Sequence, residues 1–221
     1  MSSIGIIVAM DSEYELVCQK LLGGRDSGTL GGNSITVRKC GIGKVNAAVS
    51  SLEMIRDLHP DLVVNTGIAG AVKHRAGRGD VVVADKVAYH DVWCGEGIPW
   101  GQVQGLPMYF ACSPAACAKA RDAASGTGAT VHSGLLCSGD RFVVGSTMDK
   151  ECLGHFPDAI AVDMESGAVA QVCHLKEVPF VAIRIISDVA EDEDQLVDYA
   201  KFFSDAAKES FSILERILKD L

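Results

Sequence analysis

Eight cysteines occur among the 221 residues, yet no two are spaced Cys-x-x-Cys and no Cys/His set has zinc-finger spacing. That argues against a structural zinc site. Reduced, mostly buried thiols in a cytoplasmic protein are the expectation. A basic patch is also missing. Twenty Lys and Arg face 29 Asp and Glu, a formal charge of −9, and the cations are scattered along the chain. Nucleic-acid polymers and anionic membranes are therefore poor partners. No apolar run approaches the roughly 18 residues of a membrane-spanning helix. The opening "MSSIGIIVAM" has no basic region and meets acids at once, so it does not read as a signal peptide. Repeats, low-complexity tracts and linkers are absent too, which predicts one domain over residues 1–221.

What is present is a folded composition: 48% hydrophobic and 22% charged residues. Apolar, β-branched runs alternate with helical periods. "IGIIVA", "DLVVNTG", Asp80 to His90, Thr130 to Leu136, "AIAVD" and "PFVAIRIISDVA" read as strands, with a weaker pair around "GGN". Helices are predicted over Asp11 to Leu22, Pro114 to Ala124, Thr147 to His155 and an amphipathic C-terminal stretch. Another is predicted over Lys44 to Leu58, where Val45, Ala48, Leu52 and Ile55 recur at helical spacing. Strands apolar throughout are covered on both faces. The expected fold is α/β, a three-layer sandwich around a central mixed, mostly parallel twisted sheet.

Ligands of such folds gather beyond the carboxyl ends of the strands. The strands deliver there Met10, Asp11 and Glu13; Asn65, Thr66 and Gly67; Ser138, Asp140, Arg141 and Phe142; Asp163, Met164 and Glu165; and Arg184, Ser187 and Asp188. Each acid alone could be a helix cap or dipole partner. "CGIGKV" lacks the ending and spacing of a phosphate loop. Cys112 with Cys117, His90 and His174 read as packing residues. Acids and methionines converging on one rim are harder to explain as caps.

Taken in order, "GIIVAMDSE", "CGIGKVNAA", "NTGIAGA", "SGDRFV", "AVDMESGAVAQVCH" and "VPFVAIRIISDVA" resemble the 5′-methylthioadenosine/S-adenosylhomocysteine nucleosidases of the purine nucleoside phosphorylase superfamily. The resemblance runs from the first strand to the last helix. It implies a cytoplasmic homodimer, no metal and no cofactor, and hydrolysis of adenine N-glycosidic bonds in small adenosine derivatives. By this resemblance Asp188 is the general acid at purine N7, oriented by Ser187. Glu13 is the base that activates water, and Glu165 accepts the ribose hydroxyls. Met10 and Met164 pack the sugar, Phe142 stacks on adenine and the Val143 backbone meets its edge. Arg184 steadies the water and the acids, and Ile42, Ile68 and Ala190 complete the substrate contacts.

Some features depart from that family or stay open. The family usually has serine at the position of Ile68. Related phosphorylases carry an arginine and a serine or threonine where this chain has Asn65 and Ile68. Val92 to Met108 and Gln195 to Phe203 do not align with the loops that hold the 5′ substituent. The exposed-loop tryptophans Trp93 and Trp100, with Ile98, suggest an interface near Asp91 to Gln104. A phosphorolytic enzyme, a futalosine-type nucleosidase and a non-catalytic nucleoside-binding protein are the alternatives.

Overall fold

The structure is a computed structural model that describes residues 1–144, 153–190, 194–205 and 207–221. Among these, nine strands form one mixed sheet. The strands are β1 (Ser3–Val8), β2 (Ser27–Leu30), β3 (Asn33–Lys39), β4 (Leu62–Ala71), β5 (Val81–Tyr89), β6 (Phe110–Ala111), β7 (Val131–Ser138), β8 (Ala159–Asp163) and β9 (Phe180–Val189). The helices are α1 (Asp11–Leu22), α2 (Lys44–Leu58), α3 (Pro114–Ser125), α4 (Ser166–Leu175), α5 (Gln195–Asp205) and α6 (Ala207–Asp220). The short helix expected over Thr147 to His155 falls, up to Cys152, outside the described residues.

β1 lies parallel between β3 and β4, and β2 closes that edge as an antiparallel hairpin with β3. The other half of the sheet curls back on itself. β4 pairs with β9, β9 with β5, β5 with β7, β7 with β8, and β8 returns to β4. Closing the ring buries β4 and β9 on both sides, which is why "LVVN" and "FVAIRII" carry so few outward polar residues. α2 packs beside α4, while α6 packs against α1 and α3. The sheet core is continuous, with Ile6, Val64, Val82, Val181 and Ile183 all fully buried. Met54 of α2 reaches the sheet where Gly5 leaves room, since a Cβ there would run into its sulfur.

Two local features set up the site. β9 carries a bulge against β4: Ile186 pairs with Ala69, yet Asp188 pairs with the next residue, Gly70. One extra residue shifts everything after it to the other face. Ser187 and Asp188 therefore line a cavity that Arg184, on the regular part of the strand, does not. The second feature is α2. Its buried face is Ala47, Ser51, Met54 and Ile55, while Val45 and Leu52 of the expected stripe turn outward. The helix was legible but its inward face was not, because both sides are apolar.

Candidate active site

Ala9, Met10 and Glu13 from the β1–α1 junction, Ile68 from β4, and Ser187 and Asp188 from β9 meet at one cavity of about 80 Å³. Arg141, Phe142 and Val143 follow β7, Met164 and Glu165 follow β8, and Ile42 and Tyr199 complete the wall. The site lies where several strands end, so each strand's polar residues arrive with the backbone already fixed by the sheet.

Glu13 is 2% exposed. Its Oε2 accepts from the Ala9 and Met10 N–H groups, both at 3.0 Å, and its Oε1 accepts from Ile68 N–H at 2.9 Å. Glu13 thus caps its own helix and lines the cavity with the same carboxylate. Asp11, two residues earlier, is the surface residue: it is largely exposed and pairs with Lys39. Gly67 is required beside Glu13. Its φ is +148°, and a Cβ would collide with Glu13 Oε1. Burial raises the Glu13 pKa, opposed by its three backbone donors and by the charge of Arg184.

Glu165 accepts from the Gly43 N–H at 2.8 Å, across from the start of α2. Burial, then the nearby Asp163, push its pKa up to about 7, against the Gly43 donor. Asp188 is held on both oxygens, by Ser187 Oγ at 2.5 Å and by Gln195 Nε2 at 2.9 Å. Burial raises its pKa, and those two donors lower it. Three carboxyl groups around one cavity are all shifted toward the protonated form. That pattern is typical of groups that exchange protons.

The Arg184 expectation needs correcting. Its guanidinium is 2% exposed and stays out of the cavity, because the bulge falls after it. Nη2 and Nε bond Asp163 Oδ2 at 2.6 and 2.9 Å, and Nη2 also reaches Ser166 Oγ at 2.7 Å and Asn65 Oδ1. It acts on Glu13 and Glu165 from behind the wall, lowering both pKa values by its charge. Breaking such a buried pair costs about 3–5 kcal/mol. Ala190 is likewise not in the wall. It is fully buried, with its N–H on the Ala71 carbonyl.

Two residues of the site were not singled out in the sequence: Tyr199, in the cavity wall, and Gln195, which does not line the cavity but bonds Asp188. Tyr199 lies edge-on to Phe142, with ring centroids 5.1 Å apart, and its hydroxyl sits 3.7 Å from Met10 Sδ. Gln195, four residues earlier on α5, reaches Asp188. Their i, i+4 spacing was the available signal, hidden inside a stretch that reads as an acidic loop. His90 is fully buried, and burial lowers its pKa. His174 packs on Phe110, and Cys117 Sγ donates to the Ala84 carbonyl. Among the described residues no group of three or more His, Cys, Asp or Glu could hold a metal ion.

The fold is that of the phosphorylase superfamily, whose family model matches residues 3–219. A 5′-methylthioadenosine/S-adenosylhomocysteine nucleosidase from Neisseria meningitidis, in complex with methylthio-immucillin-A, is 39% identical over 100% of both chains, with a TM-score of 0.92. An S-adenosylhomocysteine nucleosidase from Streptococcus pyogenes, in complex with 5-methylthiotubericidin, is 32% identical over 100% of this chain and 97% of that one, TM-score 0.91. A putative nucleosidase from Borrelia burgdorferi, bound to adenine, is 30% identical over 99% of this chain and 100% of that one, TM-score 0.90. The chain belongs to the 5′-methylthioadenosine/S-adenosylhomocysteine nucleosidase family within that superfamily.

Proposed function

We propose that the protein hydrolyses the N-glycosidic bond of 5′-substituted adenosines, releasing adenine and the 5′-substituted ribose. The observation that carries this is the set of buried carboxyl groups around one cavity: Glu13, Glu165 and Asp188, beside an Asp163 that is paired with Arg184. Cleavage needs a proton on the departing purine and a nucleophile at the anomeric carbon. Asp188, with its raised pKa, gives its proton to N7 and makes neutral adenine the leaving group. Charge then develops on the sugar as an oxocarbenium-like centre.

Glu13 takes a proton from the attacking water. Its three backbone donors fix the carboxylate, so little reorganisation is needed when the sugar becomes cationic. Glu165 accepts the ribose hydroxyls, a role that needs its ionised form. Met10, Met164 and Ile68 supply apolar contact for the sugar, and Phe142 a face for the base. An acid and a base acting from opposite sides of the sugar is the inverting arrangement. Chromatography after incubation with methylthioadenosine tests the reading: adenine and methylthioribose are expected, and unchanged nucleoside overturns it.

The protein acts as a homodimer in this reading. Val45, Val49 and Leu52 line the outer face of α2 and Ile42, just ahead of the helix, extends the stripe, with exposures of 74, 52, 37 and 51%. That is an apolar stripe one residue of which, Ile42, also belongs to the site. Trp93, in the loop of Asp91 to Gln104, adds 59% exposure, while Trp100 folds inward and stacks on His155 at 4.4 Å. A contiguous exposed stripe of this kind is what an isologous interface covers.

A further inference from the structure

Both oxygens of Asp188 are already engaged by the chain itself: Ser187 Oγ serves Oδ1 and Gln195 Nε2 serves Oδ2. The same Gln195 nitrogen donates to the Val143 carbonyl at 2.8 Å. One planar NH₂ group thus bridges the general acid and the backbone assigned to the base edge. Adenine offers the same chemistry, because its exocyclic amine is a planar NH₂ group lying next to N7. Purine and carboxamide require the same two acceptors.

The cavity as it stands does not hold a purine nucleoside. The cavity is about 80 Å³, well below the roughly 300 Å³ at which small-molecule pockets begin. Gln195 is 3% exposed, and its Oε1 is buried with no hydrogen-bond partner among the described residues. The carboxamide is satisfied on its nitrogen alone, which leaves the contact open to displacement by a ligand that satisfies every polar atom. Tyr199, one turn further along the same face of α5, closes the sugar side against Phe142 and Met10. Displacing the first turn of α5 therefore opens the base and sugar positions together.

We infer that Gln195 is a latch that imitates the purine: its carboxamide holds the adenine position closed, and substrate must displace it before the base reaches Asp188. The inference rests on the nucleosidase reading given above. It differs from a fixed support for Asp188 in the sign of one effect. A latch lowers the fraction of protein competent to bind, so the observed dissociation constant is the intrinsic one divided by that fraction. Removing the latch tightens purine binding, whereas removing a support weakens it.

The test is calorimetric titration of adenine into the wild type, Gln195→Ala and Gln195→Met, with kcat and KM for methylthioadenosine measured alongside. The methionine variant keeps the volume and loses the carboxamide's donor and acceptor together, and melting curves confirm folding of each protein. Both variants are expected to bind adenine at least about threefold more tightly, with KM falling in step. Adenine binding that is unchanged or weaker in the methionine variant, with kcat reduced, overturns the latch while leaving the nucleosidase reading intact. A wild type that neither binds adenine nor cleaves methylthioadenosine overturns the functional reading and the latch with it.

Discussion

The backbone N–H of Ile68 donates to Glu13 Oε1 over 2.9 Å, joining residues 55 positions apart in the chain. This places a carboxylate at the bend where related phosphorylases carry phosphate-holding groups. Ile68 has no side-chain donor, and Asn65 spends its own on the Ile7 carbonyl at 3.0 Å, with its Oδ1 taken by Arg184 and Ser166. A phosphate here would meet a fixed carboxylate in place of charge-assisted donors. Water meets a base.

Glu13→Gln is accordingly expected to lower kcat by about 10²-fold or more, with a smaller change in KM. Steady-state kinetics on methylthioadenosine checks this. Activity within twofold of wild type would remove Glu13 from the reaction.

Gly67→Ala tests the geometry behind the same carboxylate without touching it. A methyl group there collides with Glu13 Oε1 at a φ of +148°. Loss of both activity and thermal stability is expected. A variant that melts and turns over like wild type would mean Glu13 has more freedom than its three backbone donors imply.

Asp188→Asn is expected to reduce kcat by about 10²–10⁴-fold, with substrate still bound, since the proton is needed only as the bond breaks. Titration with substrate alongside kinetics separates the two. Retention of half the activity would contradict the role.

Glu165 connects the site to stability. Its carboxyl is pushed from the ordinary 4.5 up to about 7 by burial and by Asp163. A carboxyl with a raised folded-state pKa favours folding below the unfolded value and loses that contribution as pH rises through the folded one. Wild type should thus lose stability relative to Glu165→Gln between about pH 4.5 and pH 7. Melting temperatures at pH 5 and pH 8 check this. The variant's advantage should be larger at pH 8, and a difference independent of pH would contradict it.

Strands were the most legible part of the sequence, because a strand covered on both faces must be largely apolar, as the runs "LVV" and "FVAI" are. The acids at their ends were equally visible. The bulge at Ser187 was not: one extra residue inside an apolar run leaves no trace in the pattern, and it separates Arg184 from the cavity that holds Asp188. Gln195 and Tyr199 were hidden for another reason. Their i, i+4 spacing marks a shared helix face, but their contacts with Asp188, Val143 and Met10 come from tertiary placement that the spacing does not encode. β6, two residues long, has too little sequence to announce itself.

Hydrolysis itself is tested most directly by the sugar product. Purified protein is incubated with methylthioadenosine in phosphate-free buffer, and the products are separated and identified. Free methylthioribose, formed at a rate that added phosphate leaves unchanged, is the expected result. A sugar 1-phosphate, or turnover that begins only when phosphate is added, would contradict water as the nucleophile and Glu13 as its base.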